Sequence, residues 1–187
     1  LGEPIGKQDQ YAAAYGGLNI IRFLPNDRVE VQALDLSQPL SGDFSQHLKL
    51  YYLGNQRSAS TILAEQSQKS SEADKVAALQ TMVSFVDPFA ASLLAGNWSD
   101  LGAHLHENWK LKQTLASGIS NPRIQEAYEA GLAAGAWGGK LLGAGGGGFM
   151  LFLAPPSAHA ALDAAMNDCR PFPFQLDTEG SKVIFNG

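Results

Sequence analysis

The run Lys140-Leu-Leu-Gly-Ala-Gly-Gly-Gly-Gly-Phe149 holds five glycines in six residues, Gly143 and Gly145, Gly146, Gly147 and Gly148 around Ala144. Each glycine loses more backbone entropy on ordering than any other residue, so such a run implies positive φ or close approach of the backbone to another group. Composition alone fits two readings, a tight helix-to-sheet connection or a loop facing an anion or substrate. Gly143, Gly145 and Gly148 satisfy G-x-G-x-x-G, but a dinucleotide loop follows a strand and opens a helix. Here Pro122–Trp137 reads as a helix before the run, and Phe149-Met-Leu-Phe-Leu153 as a strand after it. No Gly-Lys-Ser/Thr closes the run, so a Walker loop is also excluded. Lys140 offers a cation for phosphate, or is a solvated helix-end lysine.

A second polar group opens the chain, Gly6-Lys-Gln-Asp-Gln-Tyr11. Asp9 and Gln10 fall at the start of a helix over Gln8–Tyr15, where unpaired amides and the helix dipole favour a negative charge. Asp9 is then either a cap or a reactive carboxylate, and Lys7 lies beside it in the entering loop. Arg57, in Gly54-Asn-Gln-Arg-Ser-Ala-Ser60, is a solvated arginine or a fork for phosphate or sugar oxygens. His104 and His106 diverge on a helix and do not predict a metal site.

The glycine run resembles the C-terminal glycine motif of the GHMP small-molecule kinases, and Gly6–Tyr11 resembles the Gly-x-x-Asp-Gln segment of galactokinase-like members. Arg57-Ser-Ala-Ser60 and Gly118-Ile-Ser-Asn-Pro122 resemble the sugar-kinase branch that includes D-glycero-D-manno-heptose 7-phosphate kinases. The resemblance implies a kinase using ATP and Mg2+ to phosphorylate the anomeric hydroxyl of a sugar phosphate. It implies Asp9 as the catalytic carboxylate, Lys7, Gln10, Arg57 and Lys140 as substrate-binding residues, and residues 143–148 as a loop near the phosphates. The family's main phosphate loop, Pro-x-x-x-Gly-Leu-Gly-Ser-Ser-Ala, occurs nowhere in this sequence. The expectation is therefore the C-terminal part of a kinase, with no metal ligands of its own and little activity alone.

Apolar residues make up 45% and charged residues 17% of the 187, as in an ordinary globular protein. A net charge of −5 argues against nucleic acid or an anionic membrane as partner. The single Cys169 excludes an internal disulfide and suits a reducing cytoplasm. No stretch reads as a membrane span.

The elements expected around these residues begin with strands at 18–24 and 29–36, joined by Pro25-Asn-Asp-Arg28. A linker at 39–44 and a strand at 48–53 follow. Helices come next at 60–68, 71–95 (interrupted at Pro88) and 100–116. Asn121 caps a further helix with Pro122 at its first position. An alanine-rich helix at 157–168 precedes a last strand pair, 172–176 and 181–185. This is an α+β pattern, and the resemblance makes it a ferredoxin-like antiparallel sheet with helices on one face. Residues 1–44 would be the remnant of an N-terminal domain and 45–187 the C-terminal domain. An uncovered hairpin face would favour a homodimer, so a non-catalytic self-associating domain is the competing reading. A kinase for another small alcohol, galactose or mevalonate, is the third.

Overall fold

The structure is a computed structural model, and it describes residues 6–36, 38–54 and 59–185. Arg57 and Ser58 lie outside the described residues.

Tyr51 and Leu53 on one strand, Met150 and Phe152 on a second and Leu141 on a third place their side chains in one buried cluster. The strands are β3 (Leu48–Gly54), β5 (Gly148–Leu153) and β4 (Gly138–Leu141), and a short β6 (Arg170–Pro171) completes the sheet in the order β4-β5-β3-β6. All pairings are antiparallel, with Tyr51 opposite Met150, Leu141 opposite Met150 and Tyr52 opposite Arg170. Helices separate β3 from β4, a hairpin joins β4 to β5, and a helix leads to β6. That is the βαββαβ split topology of ferredoxin-like folds. Period-two alternation sends Tyr51, Met150, Phe152 and Leu141, each fully buried, to the same face. Burial of each such side chain stabilises the fold by roughly 1.5–3 kcal/mol.

The helices that cover this face are α3 (Ala59–Lys69), α4 (Ala73–Ser84), α6 (Trp98–Gln113), α7 (Pro122–Ala133) and α8 (His159–Ala165). Trp109 of α6 and Ile124 and Tyr128 of α7 fill the space over the sheet. Asn121 caps α7 as its sequence predicts, its side chain accepting from the Ile124 N–H at 3.0 Å. The opposite face carries a smaller cluster, in which Leu48 and Leu153 meet Phe44 of α2 (Gln38–Gln46), Leu93 of α5 (Val86–Leu94) and Trp98. A separate two-stranded sheet, β1 (Asn19–Phe23) and β2 (Val29–Ala33), packs on that cluster through Leu18 and Leu34. Together with α4, α5 and α6 it borders a largely apolar cavity of about 260 Å³.

Several sequence expectations are corrected. The segment expected as a linker at 39–44 is α2: Leu40 and Phe44, four apart, both join the second cluster, and this burial outweighs a mid-helix Gly42. The break in the 71–95 run falls at Phe85 rather than Pro88, which becomes the third residue of α5, where a missing N–H costs no helical bond. Counted as one run, Ala73–Leu94 has a hydropathy of 1.3 and is long and apolar enough to cross a membrane by length and composition, contrary to the sequence reading. In the structure it is two helices that pack against α6. The expected strands at 172–176 and 181–185 do not form: the last bond to β3 is the Phe172 N–H to the Leu50 carbonyl at 2.8 Å, and Pro173 has no N–H to extend a ladder.

The fifth correction bears on the site. The helix expected to reach Trp137 stops at Ala133, and Gly138–Leu141 is strand β4. Two glycines in four residues hide a strand from propensity. Its place depends on them: a Cβ on Gly138 would lie 1.9 Å from the Gly102 carbonyl oxygen, where α6 crosses the sheet edge.

Candidate functional site

Because β4 precedes the glycine run and β5 follows it, residues 142–147 are the turn of a β-hairpin rather than a helix-to-strand loop. The fingerprint reading remains excluded, since the run opens a strand. Gly143, Gly145, Gly146, Gly147 and Gly148 all have positive φ, from 74° to 157°. The turn is closed at its base by the Leu142 N–H donating to the Phe149 carbonyl at 2.8 Å.

The turn rests on the segment that links α6 to α7. The Gly146 N–H donates to the Ile119 carbonyl at 2.9 Å, and the Asn121 amide nitrogen reaches the Gly146 carbonyl at 3.5 Å. A Cβ on Gly145 would meet the Ile119 Cα at 2.6 Å, so this approach of two backbones requires glycine. Glu65 of α3 anchors the same segment, accepting from the Ser117 N–H and hydroxyl, each at 3.0 Å, and from Lys69 at 2.8 Å. Those bonds, Lys69 first, hold the Glu65 carboxyl down to about 2. Between Ile119 and Asn121, the buried Ser120 hydroxyl has no hydrogen-bond partner among the described residues.

One lysine contacts the turn, and a second, on β4, lines the apolar cavity. Lys140 is half-buried on β4, not at a helix end, and its ammonium has no hydrogen bond or ion pair among the described residues. Burial pushes its pKa down. Lys112, in the last turn of α6, donates to the Gly143 carbonyl. Burial first, and the Lys140 charge second, push the Lys112 ammonium down to about 8, and the Asp9 carboxylate acts on it in the opposite sense. Sequence reasoning missed Lys112: a lysine in a last helical turn reads as a complement to the helix dipole, and nothing in its spacing points to a turn more than thirty residues away.

Asp9 is exposed in the first turn of α1 (Gln8–Tyr15), a helix with the bounds its sequence predicts. No side chain of α1 is buried. Its C-terminal end is instead tied to residues 177–181, through Gly17 N–H to the Asp177 carbonyl at 2.7 Å and Ser181 N–H to the Ala14 carbonyl at 3.1 Å. Tyr11 packs edge-on against Phe23 of β1 at 5.6 Å. Gln10 is exposed beside Asp9, and Lys7 faces the hairpin turn, 3.6 Å from Asp27 in an exposed ion pair. The structure therefore brings Lys112 to the glycine turn, puts Lys140 in the lining of the apolar cavity, leaves Asp9 exposed on α1, and places the Lys7 ammonium at the β1–β2 turn. Among the described residues no group of three His, Cys, Asp or Glu side chains is arranged to hold a metal. His106 instead bonds the Tyr128 hydroxyl at 2.7 Å, and His104 packs on Phe85.

Residues 89–170 match the family model described as GHMP kinases C terminal. The chain is 28% identical over 184 residues to the D-glycero-alpha-D-manno-heptose 7-phosphate kinase of Campylobacter jejuni, covering 97% of this chain and 54% of that protein. It is 26% identical over 164 residues to a bifunctional fucokinase/GDP-fucose pyrophosphorylase of Arabidopsis thaliana, covering 86% of this chain and 16% of that one. Among solved structures, a D-glycero-D-manno-heptose 1-phosphate kinase from Bacteroides thetaiotaomicron superposes with a TM-score of 0.59 at 26% identity, over 97% of this chain and 50% of that one. L. major mevalonate kinase superposes with a TM-score of 0.70 at 20% identity, over 86% and 47%, and so shares the fold. The chain spans 54% of the first of these relatives and 16% of the second.

Proposed function

We propose that this chain is the C-terminal part of an ATP-dependent sugar kinase acting on a heptose phosphate. The observation that carries the reading is the glycine turn, which rests on the Ile119 carbonyl and is contacted by the half-buried Lys112, the ammonium on which the Asp9 carboxylate acts. Phosphoryl transfer asks a protein for positioning and charge stabilisation more than for covalent chemistry. In this reading Asp9 accepts the proton of the anomeric hydroxyl as that oxygen bonds to the γ-phosphorus, and the bond to the ADP oxygen breaks. Mg2+ would offset phosphate charge, held by residues other than a cluster in the described part of this chain.

The fit to phosphate rests on this chain's own groups. Among the described residues Lys140 has no anion partner and the buried Ser120 hydroxyl has no hydrogen-bond partner, and the turn leaves Gly143 exposed. Gln10 and Arg57 are assigned to the sugar by resemblance. Lys7 would join them only by leaving Asp27. We assign residues 1–44 to an N-terminal domain and 45–187 to the C-terminal one, a boundary that falls within α2; the separation of the β1–β2 sheet from the four-stranded sheet supports giving the hairpin to the first. A cytoplasmic location is part of the same proposal and rests on the lone Cys169.

The names of two relatives, one curated protein and one solved structure, agree on heptose phosphate and differ on the phosphorylated carbon, while the second curated relative is a fucokinase. The test is ADP release by a chain extended to the relatives' length, with heptose 7-phosphate, heptose 1-phosphate, galactose and mevalonate as acceptors. Turnover of heptose 7-phosphate, with 31P NMR showing a new phosphate at the anomeric carbon, is expected. Turnover of galactose or mevalonate alone would contradict the substrate.

A further inference from the structure

Lys140 on β4 pairs with Leu151 on β5, and directly paired residues share a face. Leu151 belongs to the second cluster, so the Lys140 side chain leaves the sheet on the side of that cluster and the β1–β2 hairpin. There it lines the cavity of about 260 Å³ between the hairpin and α4–α6. Ile20 and Leu34 form the hairpin wall, and Phe89, Leu93 and Leu105 the helical one. The exposed Arg22–Asp87 ion pair, at 2.6 Å, ties β1 to α5 and so holds the two walls together.

Among the described residues that line this chamber, Lys140 is the one Lys or Arg, and none is Asp or Glu. Its ammonium makes no hydrogen bond or ion pair among the described residues. Apolar cavities stay dry, and a charge at such a wall is costly without a counter-ion. Asn108 and His104, one turn apart on α6, also line the cavity. The Asn108 amide spends one N–H on the Met82 carbonyl at 3.4 Å and has a second to give.

We propose that this cavity is a binding site for a small amphipathic carboxylate, its apolar chain in the chamber and its head on the Lys140 ammonium, with Asn108 as a second donor. One fixed cation matches one negative charge; a phosphate dianion would bring a second, uncompensated charge among apolar walls. The volume lies just below the roughly 300–1,000 Å³ of drug-sized ligand sites, which suits a short chain. Lys140 stands two residues before the glycine turn, so on the kinase reading the carboxylate takes up an ammonium offered to phosphate. The site itself stands without that reading.

The test is titration of the 187-residue chain at neutral pH with octanoate, octanol and octyl phosphate, each below its micelle concentration, for the wild type and Lys140→Met. Octanoate should bind saturably with a Kd of about 1 mM or tighter, and about tenfold or more tighter than octanol. Lys140→Met keeps the apolar length and removes the charge. It should weaken octanoate about tenfold or more and leave octanol within about threefold. Circular dichroism confirms that the variant folds. Should it not, intermolecular NOEs from the octanoate chain to the Met82 methyl, together with movement of the Lys140 13Cε resonance, decide on the wild type. Bound octanoate that gives neither lies elsewhere and overturns the proposal, as does a wild type that binds no octanoate. Were Lys140 only to lay its stem on the wall and keep its head in water, octanoate and octanol would bind alike and Lys140→Met would change neither. That result too would overturn the proposal, and octyl phosphate binding more than about tenfold tighter than octanoate would contradict the carboxylate.

Discussion

Gly145 lies over Ile119 so closely that a methyl group on its α-carbon would sit 2.6 Å from the Ile119 Cα and 2.9 Å from its carbonyl oxygen. The turn is thus fixed against the α6–α7 segment by backbone, and its shape depends on what anchors that segment.

Gly145→Ala should be among the most disruptive single changes in the chain. It combines a φ of +114° with a clash against immobile backbone, for a loss of about 2–4 kcal/mol. Gly143→Ala is the control: φ is +74° but the space is open, so only the left-handed backbone penalty of about 1–2 kcal/mol remains. Urea midpoints of the two variants check the order. Equal midpoints would mean that the turn does not rest on Ile119.

The Lys112 ammonium titrates near 8 in the folded chain, depressed by burial and by Lys140, with Asp9 opposing. Between pH 8 and the ordinary lysine value, the unfolded chain therefore binds more protons than the folded one. Stability contributed through Lys112 rises with pH across that window. The burial of Lys140 acts in the same direction, whereas Cys169, raised to about 11 by burial, acts in the opposite one. The readout is consequently a difference: the stability gain from pH 7.5 to 10 should be smaller in Lys112→Met than in the wild type. Parallel pH profiles would contradict the burial of this ammonium.

Glu65 gives the opposite sign. Held at about 2 by Lys69 and Ser117, it contributes stability that is present above the ordinary carboxylate range and lost as pH falls through the folded value. Glu65→Gln should unfold earlier in urea at pH 7, with a flatter pH dependence between pH 5 and 2. The turn amides of residues 143–148 should also exchange faster with deuterium, because Ser117 loses its anchor. Unchanged exchange would mean that the α6–α7 segment holds its place without Glu65.

On the other side of the helical layer, the fully buried Tyr51 donates to Asp163 at 2.6 Å, and Lys49 holds the same carboxylate at 2.7 Å. Tyr51→Phe should cost about 1–2 kcal/mol, since Asp163 keeps Lys49 as a partner. Asp163→Ala should cost more, because it strands the buried Tyr51 hydroxyl. Denaturation midpoints in the reverse order would remove this peg between β3 and α8 as a source of stability.

What was legible in the sequence was local. Asn121-Pro122 announces a helix start whose cap bond is present, and Gln8–Tyr15 carries its own boundaries in Gly16-Gly17. Strands β1, β2, β3 and β5 carry enough apolar or β-branched residues to read directly. What was not legible depended on distant partners. Gly138-Gly-Lys-Leu141 is a strand because β5 pairs with it and α6 presses on it, and α2 is a helix because the second cluster needs Leu40 and Phe44. Phe172–Leu176 has strand composition, but after the Phe172 N–H bond to β3 its Pro173 has no N–H to carry the ladder on. For the site, the glycine run and Lys140 were legible by type. Lys112 was not, because the turn and the end of α6 meet only in three dimensions.

The most direct test of the central claim is the rate of ADP formation with heptose 7-phosphate by the extended protein, compared with its Asp9→Asn variant. Asparagine keeps the shape of the side chain and removes its ability to take the proton, so the rate should fall by about a hundredfold or more, with little change in KM. A rate within about threefold of wild type would contradict the assignment of Asp9 as the carboxylate that serves phosphoryl transfer.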